Sequence, residues 1–291
     1  MRRLLIVADA GGTKTSWYVL PEGIDKPLMV KTSGINATIH PFSHIVESVK
    51  ELFYNLEDIL NKEDFFIQVS FYGAGANSEN AFRLIERAFS EVFSTMKVSL
   101  DIDSDLTGAA RALYGSESGI ACIIGTGSAT GLYDGERIVE KVPSLGFILG
   151  DEGSGAYMGR QLVNRFFKSE LEKEVEALLE DFCDMSQSNI LQKVYREKGA
   201  NSFLASFVPF IHRHRDFDSI SDIIYESLKL FFEKNVLKYI NRYNNRIRFV
   251  GGVAYLFASQ LSDIAENYGF VADRFIPDPI RELGEYHKNL G

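Results

Sequence analysis

The chain has 291 residues, enough for two domains with separate cores, and its 45% hydrophobic and 24% charged residues are typical of a globular protein. Its formal net charge of -9 argues against nucleic acid or an anionic membrane surface as a partner. No stretch reaches the ~20 apolar residues of a membrane-spanning helix. Met1 to Arg3 leads directly into an apolar strand rather than a signal peptide. We therefore expect a cytoplasmic protein.

Apolar periodicity predicts two similar halves. The first half has strands at 4–9, 16–20, 27–32, 65–72 and 97–103, with helices at 43–60, 79–93 and 106–114. The second half begins with strands at 120–124, 129–133 and 136–142, which repeat the opening of the first. A helical insert at about 155–242, a strand–helix–strand segment at 246–272 and a short helix at 280–288 follow. An internal duplication is the simplest interpretation of this order.

Two turns rich in glycine and threonine follow apolar strands. The first contains Asp9, Gly11, Gly12, Thr13, Lys14 and Thr15, and the second contains Gly125, Thr126, Gly127 and Ser128. Each is predicted to bend a β-hairpin. Glycines allow backbone N–H groups to approach a ligand closely, and several N–H groups in one turn form an anion site. Either turn alone would be typical of an ordinary hairpin, but the pair indicates two contacts with one polyphosphate.

The segment Gly12 to Thr15 also looks like the end of a Walker P-loop. That motif opens a helix whose N-terminus supplies amide donors. The residues from Trp17 to Leu20 are predicted to form a strand instead. The context therefore excludes a P-loop.

Three aspartates lie where a predicted strand passes into a helix. Asp101, Asp103 and Asp105 alternate along the chain, so strand geometry would place all three on one face. A carboxylate at the carboxyl end of a strand faces the crevice in which α/β proteins bind ligands. The local pattern alone favours Asp105 as the N-cap of the helix at 106–114.

The two turns and the residues between them resemble the superfamily of sugar kinases, heat-shock 70 proteins and actin, and within it the N-acetylglucosamine kinase group. The resemblance extends from Asp9 to about Ala254 and includes the string Gly150-Asp-Glu-Gly-Ser154. It implies an α/β fold of two ribonuclease-H-like domains with an ATP cleft between them. The N-terminal domain would be 1–114 joined by the C-terminal helix 280–291. The C-terminal domain would be 115–279, with its insert at about 155–242.

The resemblance also implies a role for individual residues. The implied ATP-binding residues are Gly11, Gly12, Thr13, Lys14, Thr15, Gly125, Thr126, Gly127, Gly251 and Gly252. Those implied for the sugar are Asn36, Gly127, Ser128, Asp151 and Glu152. Asp9 would hold Mg²⁺, and Asp105 would be the catalytic base. From the residues alone, Asn36 is equally typical of an ordinary turn, and Glu152 of a first-turn helix acid.

The implied activity is ATP-dependent phosphorylation of the 6-hydroxyl of an amino sugar, with N-acetylglucosamine as the first candidate. Glucosamine and N-acetylmuramic acid are alternatives, and a homodimer is expected because related kinases are often dimers. The other alternative is a regulatory ATPase that acts on a protein partner, like the activators of benzoyl-CoA reductase and 2-hydroxyacyl-CoA dehydratases. Those activators need cysteines for a shared iron–sulfur cluster. Cys122 and Cys183 are expected to be buried thiols, and no zinc-type spacing is present.

Overall fold

The computed structural model describes residues 1–290, which form two compact units. The first unit contains Met1–Glu117, Gly135–Arg137 and the segment from Pro279 onward. The second unit contains Ser118–Asp134 and Ile138–Asp278. Within the described residues, no helix combines the length and the apolar character that crossing a membrane requires.

The first unit contains one five-stranded sheet and four helices that are long enough to pack on it, counted within residues 1–290. Its strands are β1 (Arg2–Ala10), β2 (Lys14–Pro21), β3 (Leu28–Ser33), β4 (Phe65–Gly73) and β5 (Lys97–Ser104). Its helices are α1 (Phe42–Leu60), α2 (Glu79–Val92), α3 (Asp105–Tyr114) and α13 (Ile280–Asn289). The strand order is β3-β2-β1-β4-β5. The hairpin strands β1, β2 and β3 pair antiparallel, whereas β4 joins β1 and β5 in parallel.

The second unit repeats this sheet. Its strands are β6 (Gly119–Ile124), β7 (Ser128–Tyr133), β8 (Ile138–Lys141), β9 (Arg246–Val250) and β10 (Val271–Ile276). The order β10-β9-β6-β7-β8 has the same antiparallel hairpins and parallel additions as the first sheet. The predicted duplication is therefore visible in the topology. The predicted α/β class, with two units of similar topology, is confirmed.

The helices of the second unit lie mostly in the predicted insert. They are α4 (Gly146–Leu149), α5 (Gly155–Phe167), α6 (Lys173–Phe182), α7 (Gln187–Tyr195), α8 (Ala200–Ala205), α9 (Val208–Arg213) and α10 (Asp218–Phe231). One π-helical turn and 3₁₀ turns then lead to β9. Helices α11 (Gly252–Leu256) and α12 (Ala258–Asn267) connect β9 to β10.

Each sheet buries its own apolar core. In the first unit, Ile45, Val49 and Leu52 of α1 are fully buried at helical spacing, as the sequence predicts. The only tryptophan, Trp17, is also fully buried, and its indole N–H donates to Thr32 Oγ1 at 2.9 Å. That bond satisfies the one polar atom of a large apolar side chain.

The cysteines differ from expectation in one respect. Cys122 is fully buried in β6, and burial raises the pKa of its thiol well above the usual range. Cys183 is only partly buried, because it lies where α6 ends rather than inside a helix. Among the described residues, no group of three or more His, Cys, Asp or Glu could hold a metal ion.

Candidate active site

The first glycine turn connects β1 to β2. Ala10 pairs with Thr15, and the Gly11 amide donates to the Lys14 carbonyl at 2.9 Å, which closes the hairpin. Gly12 and Thr13 are exposed at the bend. Thr15 is buried, and its hydroxyl accepts a hydrogen bond from the Ile35 amide at 3.1 Å. The bend is thus presented outward while the end of the turn is anchored inside.

The parallel strands of the first sheet end at the same edge. Ala10 lies in register with Gly73, and Gly73 with Ser104, so the ends of β1, β4 and β5 are adjacent. Asp9, the first turn and Asp105 therefore lie along one edge. This is the edge at which α/β sheets bind ligands.

The loop that carries Asn36 packs on the first turn. A Cβ added to Gly34 would lie 2.6 Å from the carbonyl carbon of Gly12, so only glycine allows this approach. The side-chain Oδ1 of Asn36 accepts from the Thr38 amide at 3.0 Å. A Cβ on Gly75 would overlap that same oxygen, which places the loop against the end of β4 as well. Asn36 therefore lies at the same sheet edge as Asp105.

The N-cap of α3 is Ser104 and not Asp105. The Ser104 hydroxyl accepts from the Thr107 amide at 3.2 Å, as an N-cap side chain does. Asp105 is the first residue of the helix, where its Oδ1 accepts from the Leu106 amide at 2.9 Å. The cap assignment favoured by local pattern is therefore wrong. So is the extension of strand alternation to Asp105, because β5 has ended and only Asp101 and Asp103 share a strand face.

A buried polar network lies behind these aspartates. Arg111 Nη1 donates to Tyr72 Oη at 2.6 Å, and Tyr72 Oη lies 2.7 Å from His287 Nε2. His287 Nδ1 lies 3.4 Å from the Ser70 hydroxyl. The tyrosine oxygen accepts from the guanidinium, and the direction of its bond with His287 depends on which ring nitrogen carries the hydrogen. Burial, followed by the charge of Arg111, lowers the pKa of His287 to about 4.

In the second unit, the second glycine turn connects β6 to β7. The Gly125 amide donates to the Gly127 carbonyl at 2.9 Å. The first amides of α5 fix the other side of the turn, because Gly155 donates to the Gly125 carbonyl at 2.8 Å and Ala156 to the Thr126 carbonyl at 3.1 Å. The turn is held in place by a helix N-terminus.

The Gly251-Gly252 corner packs directly on this turn. Gly251 has φ +123°, and a Cβ there would overlap the carbonyl oxygen of Ile124. By contrast, a Cβ on Gly125 or Gly252 would meet no atom within 4 Å. Gly251 is thus required by the protein itself, whereas the other two glycines face open space that a ligand could occupy. A helix begins at Gly252, within the predicted strand–helix–strand segment.

Asp151 lies beside the second turn in an uncommon conformation with φ 56°. A Cβ on Gly127 would lie 2.9 Å from Asp151 Oδ2, so the glycine makes room for the carboxylate. Burial raises the pKa of Asp151, the Ser128 amide that donates to it lowers the pKa, and the neighbouring Glu152 raises it. The carboxylate is therefore held close to the glycine turn in a partly buried position.

Glu152 has a different partner from the one expected of a helix acid. Its Oε2 accepts from Asn235 Nδ2 at 3.2 Å, and its carbonyl accepts from the Ser128 hydroxyl at 2.9 Å. The cap of α5 is Ser154, whose hydroxyl accepts from Tyr157. A cavity of about 180 Å³ adjoins this segment. Its polar lining includes Ser128, Asp151, Glu152, Lys234, Asn235 and Lys238.

The expected site residues thus form two groups, one in each unit. The sheet edge of the first unit carries Asp9, Gly11, Gly12, Thr13, Lys14, Thr15, Asn36 and Asp105, while Gly125, Thr126, Gly127, Ser128, Asp151, Glu152, Gly251 and Gly252 lie together in the second. No sequence motif assigns a role to His40 and His44, whose rings bond to the backbone of Asn36 and Gly34. Their sequence signal is their spacing, because Asn36, His40 and His44 follow one another at intervals of four residues.

The repeated sheet, with a glycine hairpin in each unit, defines the fold class that sugar kinases share with actin. A Porphyromonas gingivalis structure, provisionally named an N-acetylglucosamine kinase, is 33% identical, covers 98% of this chain and 99% of its own, and gives a TM-score of 0.89. With a relative this similar over its whole length, the chain belongs to the N-acetylglucosamine kinase family.

More distant structures share the fold. A Chromobacterium violaceum protein with the same provisional name is 16% identical, with a TM-score of 0.72 and 98% of each chain covered. The ROK hexokinase from Thermus thermophilus is 12% identical, with a TM-score of 0.52 over 100% of each chain. No protein-family model matches the chain, and no curated protein matches it.

Proposed function

We propose that this sugar kinase transfers the γ-phosphoryl group of ATP to the 6-hydroxyl of an amino sugar, with N-acetylglucosamine as the first candidate. The observation that carries the proposal is the 33% identity to the Porphyromonas gingivalis protein over nearly the whole of both chains. Asp105, the first residue of α3, supports it because it lies where β5 ends, at the same end of the sheet as the first glycine turn.

The nucleotide would contact the glycine positions. In the proposal Gly11, Gly12, Thr13, Lys14 and Thr15 hold the β and γ phosphates, with the amides at the bend and the lysine charge as donors. Gly125, Thr126 and Gly127 form the second phosphate turn. The open space at Gly125 and Gly252 fits a bound nucleotide, because an added Cβ would meet no protein atom there.

The residues present also fit Mg²⁺. This ion keeps several waters and is held by one or two carboxylates together with substrate phosphates. Asp9 supplies one such carboxylate beside the exposed bend, and no three-residue metal cluster occurs among residues 1–290. When bound, the ion would neutralise charge on the transferred phosphoryl group.

The sugar would be held by polar side chains. Asn36 keeps its Nδ2 amide as a donor, since Thr38 uses its Oδ1. Ser128, Asp151 and Glu152, with the close approach at Gly127, supply acceptors and donors for hydroxyls. Asp105 would accept the proton of the 6-hydroxyl. The transition state of phosphoryl transfer is loose, so alignment contributes more than the strength of the base.

A panel of amino sugars tests the proposal. ADP release is measured with Mg-ATP alone and with N-acetylglucosamine, glucosamine and N-acetylmuramic acid, and the product is assigned by phosphorus NMR. We expect N-acetylglucosamine to stimulate ADP release and to yield a 6-phosphosugar. Sugar-independent ATP hydrolysis that no amino sugar stimulates would instead favour a regulatory ATPase. A phosphate on another hydroxyl would refute the proposed position.

The homodimer implied by the resemblance is also a proposal. Sedimentation velocity over a range of protein concentrations measures it directly. A monomer at all concentrations that support activity would refute it.

A further inference from the structure

Two histidines organise the loop that carries Asn36. This loop runs from Gly34 to His40, between β3 and α1. The Asn36 amide donates to His40 Nδ1 at 3.2 Å, and the His40 amide donates to the Asn36 carbonyl at 2.9 Å. Both backbone groups of Asn36 are therefore bonded to one residue. That pair of bonds helps to fix the backbone from which the Asn36 side chain extends.

The second histidine holds the other end of the loop. His44, in the first turn of α1, lies with Nε2 3.0 Å from the Gly34 carbonyl oxygen. Gly34 is the residue that packs on the bend at Gly12. The rings of His40 and His44 contact each other, with centroids 4.3 Å apart. The two contacting rings thus link the Asn36 backbone to Gly34, which packs on the first glycine turn.

The hydrogen bonds define the protonation of both rings. His40 Nδ1 accepts from an amide, so it carries no hydrogen, and the ring is neutral with its hydrogen on Nε2. The Gly34 carbonyl can only accept, so His44 Nε2 carries a hydrogen. A second proton on His40 would remove the acceptor for the Asn36 amide and add a charge beside His44.

We propose that His40 and His44 are positioning residues for the sugar, which hold Asn36 at the sheet edge without contacting the reacting groups themselves. The inference rests on the proposed function, because it assigns Asn36 to the sugar. Its geometric basis is that each histidine ring bonds to the backbone of the Asn36 loop and not to the first glycine turn. Loss of either bond should weaken sugar binding while ATP binding and chemistry persist.

Matched substitutions separate a positioning role from a structural one. His40→Phe keeps a ring against His44 but removes the acceptor, whereas His40→Asn places an oxygen near the position of Nδ1. His44→Leu and His44→Gln form the equivalent pair for the donor at Nε2. His212→Phe, in the second unit, is the control for the substitution itself. Thermal unfolding of each variant reports on stability separately.

One neutral hydrogen bond corresponds to a change of about 2- to 12-fold in affinity. We expect His40→Phe and His44→Leu to raise the KM for the sugar by about this factor, with kcat and the KM for ATP nearly unchanged. His40→Asn and His44→Gln should restore most of the loss. Unchanged sugar KM, a parallel rise in the KM for ATP, or failure of the conservative variants to rescue would overturn the inference.

Wild-type behaviour separates this inference from the proposed function. If no sugar stimulates ADP release by the wild type, the proposed function fails and the inference fails with it. If the wild type responds to sugar and the histidine variants match it, only the inference fails.

The pH profile is a second readout. Burial, followed by the neighbouring His44, lowers the pKa of His40, while the Gly34 carbonyl raises it. Glu51 of α1 and Lys14 of β2 lie beside Ser33, the residue before Gly34: the Glu51 carboxylate accepts from Ser33, and Lys14 pairs with Ser33 across the hairpin. We expect the sugar KM of the wild type to rise as the pH falls below about 6.5, the ordinary pKa of histidine, and that of His40→Asn to rise less. Identical profiles would count against the inference.

Discussion

Replacement of Asp105 by asparagine tests the proposed base most directly. The variant keeps an oxygen that can accept from the Leu106 amide, the bond that Asp105 Oδ1 makes at 2.9 Å. It cannot take a proton from the sugar. General-base assistance contributes ~10²- to 10⁴-fold in rate, or about 3 to 5 kcal/mol in the activation free energy. We therefore expect kcat to fall by about that factor.

The effect on folding should be much smaller. Since Ser104 caps α3, the variant keeps the cap and loses the favourable interaction of a negative charge with the helix N-terminus, about 0.3 to 1 kcal/mol. Ser104→Ala provides the opposite pattern, because it removes the cap and should cost about 1 kcal/mol of unfolding free energy with little change in kcat. The two variants together separate chemistry from stability.

The assay is coupled ADP release at saturating sugar and ATP, with urea unfolding of each variant alongside. Asp101→Asn and Asp103→Asn are the matched controls, because these aspartates lie on β5 and not on α3. We expect both to retain most of the activity. If Asp103→Asn is inactive and Asp105→Asn is active, the base lies two residues earlier and the assignment is wrong.

Three further outcomes are expected. Asn36→Ala should raise the KM for the sugar about 2- to 12-fold and leave that for ATP unchanged in steady-state kinetics; a defect mainly in ATP affinity would place Asn36 at the wrong ligand. Gly251→Ala should lower the unfolding free energy by at least ~1–3 kcal/mol, because φ +123° is strained for alanine and its Cβ would overlap a carbonyl oxygen. Gly252→Ala, whose Cβ would enter open space, should raise the KM for ATP without that loss of stability. Equal unfolding midpoints for the two variants would refute this contrast. The pKa of His287 is lowered from 6.5 to about 4, so the unfolded chain binds the proton first as the pH falls. About 3 kcal/mol of stability that is present above pH ~6.5 is therefore lost as the pH falls to ~4. In urea unfolding, the stability of His287→Gln should decline less steeply with falling pH than that of the wild type, and parallel curves would refute this expectation.

Much of the fold could be predicted because strand and hairpin signals in this chain are local. Apolar runs bounded by glycine turns predicted the ends of β1, β2, β6 and β7 to within two residues. The repeat of that pattern predicted the duplicated topology. The predicted strand at 136–142 proved shorter, since β8 covers only Ile138–Lys141. Element ends depend on hydrogen-bond partners that a sequence does not display.

The site was harder to predict where adjacent residues compete for one role. Ser104 and Asp105 are both good N-cap residues, and only the start of the helix decides between them. Likewise, nothing in the order of Gly34, Asn36, His40 and His44 shows that the loop folds back on the first turn, because that contact depends on tertiary packing. The roles of the site residues in catalysis and binding stay predictions until the variants are measured.

The last helix has a consequence for how the protein is made. Helix α13 belongs to the first unit, where Gly284 lies against the ring of Tyr18 and Glu285 accepts from the Tyr18 hydroxyl at 2.9 Å. Translation passes Glu117 long before it reaches Pro279. The surface of the first unit that α13 covers therefore stays exposed while the second unit is synthesised. The second unit, by contrast, is complete once Asp278 has been synthesised. Because domains generally fold as units during synthesis, we expect the second unit to acquire protease resistance first on stalled nascent chains, which reverses the order of the two units in the sequence.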